Sequence, residues 1–153
     1  MKIMDILVKD AVVLSLKAKD KNGILEEMSR SLAAAEPSVP ADELLSVLID
    51  REELQSTGIG EGVAIPHGKM AGLDRLMATF ARSDDGVDFA SIDGKPTQLY
   101  FMLVVPEHSG GQHLKALARI SRFFRDPSFR GKLMDATSTE AIFRAIEDED
   151  EKF

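Results

Sequence analysis

Apolar residues recur along the chain with two different periods, and the change of period divides it into elements. Residues 20–35 place Ile24, Leu25, Met28 and Leu32 at helical spacing, with Asp20 ahead of them as an N-cap. Glu36, Pro37 and Ser38 break that helix, and Pro40 suits the first turn of the next. The second helix runs to about residue 54, with Leu44, Leu45, Leu48 and Ile49 as its apolar stripe. Residues 56–65, rich in Gly and β-branched side chains, predict two short strands around Gly60 and Gly62. Residues 11–16 and 76–82 are further strand candidates. Residues 99–105, LYFMLVV, are apolar without a break, as in a strand covered on both faces. Pro106 ends that strand. A helix from Gln112 then carries Leu114, Leu117, Ala118, Ser121 and Phe124 on one face. Asp126 and Pro127 start a short helix, and Thr137 to Glu140 reads as a capping box before a last helix burying Ile142 and Ile146.

Strands mixed with helices of this length predict an α/β fold: a single-domain sandwich with a mixed β-sheet flanked by α-helices. A wholly parallel sheet is not expected, because residues 56–82 leave no room for crossover helices. The 153 residues suit one domain and show no internal repeat or low-complexity linker.

Composition narrows the chemistry. Cys is absent, which excludes disulfides, thiolate nucleophiles and cysteine-based zinc sites. The net charge of −7 argues against nucleic acid or an anionic membrane as the main partner. No apolar run approaches the roughly 20 residues of a membrane span, and Asp5 interrupts the only apolar stretch near the N-terminus. Stable membrane insertion is therefore not expected, and a cytoplasmic location is. Glu147, Asp148, Glu149, Asp150 and Glu151 supply five of the negative charges. That block predicts a solvated, frayed tail or, alternatively, a docking tail for a basic partner.

The most informative segment is Arg51 to Lys69, REELQSTGIGEGVAIPHGK. A strand over residues 62–65 runs into Pro66, His67 and Gly68, which presents the imidazole at a strand end. Imidazole accepts phosphoryl groups well, because one ring nitrogen is free near neutral pH and the N–P bond formed is labile. Such a site needs donors for the phosphoryl oxygens, and Arg51, the Ser56 and Thr57 hydroxyls and glycine-rich backbone amides can supply them. His113 follows the long apolar strand in the first turn of a helix, where it serves either as a second site histidine donating a hydrogen bond or as an ordinary surface histidine. His108 lies in a polar loop. Lys69 and Lys115 are either solvated charges or steering charges for an acidic partner or the phosphoryl group.

The 14-residue stretch STGIGEGVAIPHGK, preceded by Arg51, resembles the phosphorylation-site motif of the enzyme IIA domains of the bacterial phosphotransferase system, fructose and mannitol type, and is closest to the nitrogen-regulatory branch. DGKPTQLYFMLVVP followed by QHLKALARISR is similar to that family's central strand and second-histidine helix. The resemblance implies a IIA fold over residues 1–147, an acidic tail at 148–153, and no cofactor or metal. It implies that His67 takes the phosphoryl group on Nε2, that His113 hydrogen-bonds it, and that Arg51 helps to bind it while Ser56 and Thr57 line the site. The implied donor is phosphorylated HPr or its nitrogen-branch counterpart NPr, with a regulated protein or a separate IIB protein downstream. One departure stands out: Gln55 replaces the family's usual glycine, which excludes a positive φ there without strain.

Three functions compete. A phosphohistidine carrier with a regulatory role fits a chain lacking both a IIB cysteine and membrane helices. A binding module that has lost phosphotransfer is the second. A metal-dependent hydrolase using His67, His108 and His113 is the third, with a thin ligand set.

Overall fold

The computed structural model describes Met1 to Phe153. Its elements are α1 (Lys21–Ala35), α2 (Ala41–Leu54), β1 (Gly58–Gly60), β2 (Val63–Ala64), β3 (His67–Met70), β4 (Met77–Val87), β5 (Thr97–Pro106), α3 (Gln112–Phe124), α4 (Pro127–Asp135) and α5 (Thr139–Lys152). The mixed sheet flanked by helices agrees with the sequence expectation. Strand β5 is its hub: β2 and β3 pair with it in parallel and β4 pairs with it antiparallel.

The unbroken apolar run of β5 is explained by alternation. Leu99, Phe101, Leu103 and Val105 enter one core, shared with α3, α4 and α5. Tyr100, Met102 and Val104 enter a second core on the opposite face, against α1 and α2. With no solvent face over residues 99–105, that stretch is apolar throughout, and the polar Thr97 and Gln98 stand only at the strand's start.

Strands β2 and β3 lie end to end along one edge of β5 in a single register, Val63 opposite Leu99 and His67 opposite Leu103. Ile65 and Pro66 interrupt the ladder between them. Proline has no N–H to donate, but the Pro66 carbonyl still accepts from Leu103 N–H at 2.9 Å. His67 is therefore the first residue of the resumed strand, not a residue beyond a strand end as the sequence suggested. The β1–β2 turn runs through Gly60, Glu61 and Gly62, all at positive φ (92°, 57° and 75°), which accounts for the paired glycines.

Four further local expectations are corrected. Residues 11–16 form no strand, because a 3-10 turn at Lys9–Ala11 interrupts the extended chain and leaves isolated bridges from Leu7 to Ala78 and from Val13 to Ala81. Pro40 is the N-cap of α2 and lies before its first turn. The buried face of α3 is Ala116, Ile120, Phe123 and Phe124, whereas Leu114 is 61% exposed. The stripe anchored on Leu114 is rotated because that leucine lines a cavity, described below, and not the core. The last helix is capped by Ser138, whose Oγ accepts from Ala141 N–H at 3.1 Å, so the cap sits one residue after Thr137.

The acidic C-terminus is neither frayed nor fully solvated. Helix α5 continues to Lys152 and buries Glu149 and Asp150. Asp150 accepts from Ile3 N–H at 2.8 Å and Met4 N–H at 3.0 Å, and pairs with Arg119 at 3.0 Å. It thereby satisfies backbone donors at the start of a 3-10 turn, Ile3–Asp5, and ties both chain ends to α3. Asp150→Ala should cost about 3 kcal/mol of folding stability by leaving those groups unpaired. The exposed Asp148→Ala should change it by less than about 0.5 kcal/mol. Urea unfolding midpoints of the two variants check the contrast.

Candidate functional site

His67 begins β3, and the strand's alternation sends Gly68 and Met70 toward α1 and α2 while His67 and Lys69 face the other way. Gly68 has a specific cause: a Cβ there would collide with Val47 Cγ1, so α2 can approach the strand only if residue 68 has no side chain. The close approach brings the last turn of α2, with Arg51 and Leu54, beside His67. From the other side α3 contributes His113, Leu114 and Leu117. Together these residues line an open cavity of about 510 Å³, with Asp50 and Lys69 at its edge.

Local contacts set the state of the imidazole. Nδ1 lies 2.7 Å from the Ile65 carbonyl, which can only accept, so Nδ1 carries the proton and Nε2 keeps its lone pair. His67 is held below the ordinary histidine pKa, chiefly by burial, which penalises the imidazolium. The Ile65 carbonyl opposes that shift, the nearby Arg51 charge adds to it, Glu52 opposes it, and His113 adds a smaller downward push. The result is a neutral, oriented imidazole whose Nε2 lone pair is free at neutral pH.

Arg51 spends one donor on the Gln55 carbonyl at 2.8 Å, at the C-terminal end of α2. A guanidinium has five donors, so most remain for an oxyanion in the cavity. Gln55 itself is extended at φ −170°. Any residue adopts that conformation, so a glycine is not required and the loop carries no strain from the substitution. His113 has its Nδ1 2.9 Å from Ser109 Oγ.

This geometry separates the candidate residues. His67, His113 and Arg51 share one cavity. Ser56 and Thr57 do not line it. The Ser56 hydroxyl donates to the Phe89 carbonyl at 2.9 Å, and the Thr57 hydroxyl makes a short bond to Glu52. Both hydroxyls are committed to holding the loop, which corrects their expected place as phosphoryl donors. Lys69 borders the cavity, whereas Lys115 lines a different cleft. His108 lines a third, with Arg75 and Gln112, so the three histidines do not converge on one point.

A family model described as "Phosphoenolpyruvate-dependent sugar phosphotransferase system, EIIA 2" matches residues 5–149. The chain belongs to that family. Among EIIA relatives, the Nitrogen regulatory protein of Bradyrhizobium diazoefficiens is 40% identical over 146 residues, covering 95% of each chain. The PTS system fructose-specific EIIABC component of Bacillus subtilis is 37% identical over 150 residues, 98% of this chain and 24% of that longer protein. The crystal structure of Nitrogen Regulatory Protein IIA-Ntr from Neisseria meningitidis superposes with a TM-score of 0.88 at 37% identity, covering 94% of this chain and 98% of that one. The resemblance read from residues 51–69 is thus borne out at the level of family and fold. No helix of this EIIA chain is long and apolar enough to cross a membrane.

Glu52 was missed by the sequence reading. It is 8% exposed, pairs with Lys21 at 2.9 Å, and accepts from Thr57 N–H at 3.0 Å. It thereby clamps the turn that leads from α2 into β1. The available signal was its place four residues after Leu48 and eight after Leu44, on the buried stripe of α2.

The depressed His67 pKa fixes a sign. The unfolded chain takes up a proton as pH falls through about 6.5, whereas the folded protein resists doing so until lower pH. This group's contribution to stability is therefore flat above that value, declines below it and levels off under the folded pKa. Histidine C2–H NMR should give His67 a midpoint below 6.5. His67→Gln should remove this part of the pH slope in urea midpoints.

Proposed function

We propose that this EIIA protein accepts a phosphoryl group on His67 Nε2 from a phosphohistidine donor, HPr or NPr, and serves as a nitrogen-branch regulatory protein in the cytoplasm. The observation that carries the reading is the Nδ1–H bond to the Ile65 carbonyl, which leaves Nε2 as the nucleophile inside the cavity. In the step, the Nε2 lone pair attacks phosphorus as the donor's N–P bond breaks, and the electron pair of that bond returns to the donor imidazole. His67 keeps its Nδ1 proton, so the phosphorylated ring gains positive character, which the Ile65 carbonyl stabilises. Arg51 binds the phosphoryl oxygens. With the Ser109 hydroxyl donating to Nδ1, His113 holds its proton on Nε2 and donates it to the same group.

Leu54 and Leu114, 83% and 61% exposed, flank the cavity and form an apolar rim that a donor protein can cover. Covering it excludes water from a labile N–P bond. Gln55, extended and unstrained, leaves the loop geometry undisturbed and so gives no support to a phosphotransfer-inactive module. A sugar-specific role, passing the phosphoryl group to a separate IIB protein, is the second reading, supported by the likeness to a segment of the fructose-specific component.

Incubation with phosphorylated HPr or NPr should give acid-labile phosphate on the wild type and none on His67→Ala. His113→Ala and Arg51→Ala should each slow uptake by about 100-fold while leaving the site of labelling unchanged. Equal labelling of His67→Ala would overturn the proposal. Onward transfer to a fructose-type IIB protein would favour the second reading over the regulatory one.

A further inference from the structure

We propose that the solvent face of α3 is a docking surface for an acidic protein partner, separate from the His67 cavity. Helix α3, QHLKALARISRFF, has no Asp or Glu, in a chain whose net charge is −7. Its cations and the Arg125 that follows lie three or four residues apart, so Lys115, Arg119, Arg122 and Arg125 fall on one side of the helix. At about 1.5 Å of rise per residue the stripe is about 15 Å long. With Met1 and Ala118 these four cations line a cleft of about 470 Å³. The side of α3 that serves the other cavity carries His113, Leu114 and Leu117, none of which lines this cleft.

The stripe is only partly neutralised. Arg119 is paired with Asp150, but Lys115, Arg122 and Arg125 take part in none of the molecule's ion pairs. Like charges three and four residues apart repel each other on a helix, so the arrangement works against α3 until an anion covers it. Two of the guanidinium groups are also held in place. Arg119 lies over the Phe123 ring at 5.2 Å and Arg122 over Phe153 at 5.0 Å. Pre-ordered guanidinium groups lose less freedom when they bind carboxylates.

The shape favours a protein over a small anion. Apart from Met1, all the lining comes from one helix and its cap, so no facing wall encloses a ligand. A row of cations at helical spacing instead matches carboxylates repeated along a partner helix or extended segment. A nucleic acid presents about one phosphate per 1.7 Å of duplex, and the rest of this acidic chain repels so dense a polyanion.

The test uses the full chain and a fluorescein-labelled oligoglutamate peptide, followed by fluorescence anisotropy. The triple variant Lys115→Gln, Arg122→Gln, Arg125→Gln should bind the peptide about tenfold more weakly at low salt, with the difference shrinking at high salt. A control triple with the same charge change elsewhere, Lys19→Gln, Lys95→Gln, Lys132→Gln, should stay within about twofold of wild type. Because Arg122→Gln also removes the stacking on Phe153, the double variant Lys115→Gln, Arg125→Gln provides a check that keeps that stacking in place, and should weaken binding about fivefold. The proposal is overturned if the control weakens binding as much as the stripe variant, if wild type does not bind the peptide, or if a labelled oligothymidine binds more tightly than the peptide.

Discussion

Burial of β5 on both faces is the constraint that organises the molecule, since a strand with no solvent side must be covered above and below by helices. Two helices cover one face and three the other. Backbone groups on both edges of β5 must also be satisfied. Strand β4 takes one edge antiparallel, and β2 with β3 takes the other in parallel. The Ile65–Pro66 interruption therefore sits on a strand whose register is already fixed on either side by β5. A site placed at that break inherits the rigidity of the sheet centre, while the break frees the Ile65 carbonyl from the ladder. That carbonyl then meets the His67 ring.

Under the proposed phosphoryl transfer, the site balances two opposed demands on one imidazole. A nucleophile must be neutral, which burial and the neighbouring Arg51 favour. In the proposed transfer the phosphorylated ring would gain positive character and the phosphoryl group would carry negative charge, for which the Ile65 carbonyl and Arg51 respectively are placed. Arg51 thus opposes a proton on His67, and under the proposed function the same charge would favour a phosphoryl group there. Buried Glu52 moderates its field from behind, with Lys21 compensating Glu52 in turn. Direct charge on the ring is kept small, and the strong charges sit one layer away.

How legible this was in the sequence depended on whether the signal was local. The helix at Lys21–Ala35 and its Asp20 cap could be read because cap and apolar spacing lie within a few residues. The double-sided burial of β5 was equally readable, since seven successive apolar side chains in so short a segment suit a strand with no solvent face. His67, His113 and Arg51 were singled out from motif, yet their meeting in one cavity depends on contacts such as Val47 packing over Gly68, which have no sequence period. Ser56 and Thr57 illustrate the converse: hydroxyls beside a motif look available until distant acceptors, Phe89 and Glu52, claim them. The rotated face of α3 has the same origin. Its first turn serves the cavity and its later turns serve the core, so one apolar stripe does not describe both.

Net charge was the least local quantity and therefore the easiest to misread. The sequence places the terminal acids in solvent, but Asp150 folds inward to bind the N-terminal backbone and Arg119. Its negative charge offsets Arg119 inside the fold, while Lys115, Arg122 and Arg125 stay unpaired, so α3 is more basic than the total suggests. Helix α3 consequently presents three different sides: an apolar one to the sheet, one bearing His113 to the cavity, and a cationic one to solvent. A helix with those three sides is under constraint around nearly its whole circumference. Its buried side is fixed by the requirement to cover β5, so the azimuths of the other two follow from the 3.6-residue period. The position of the cationic stripe relative to His113 is thus set by the same strand that positions His67.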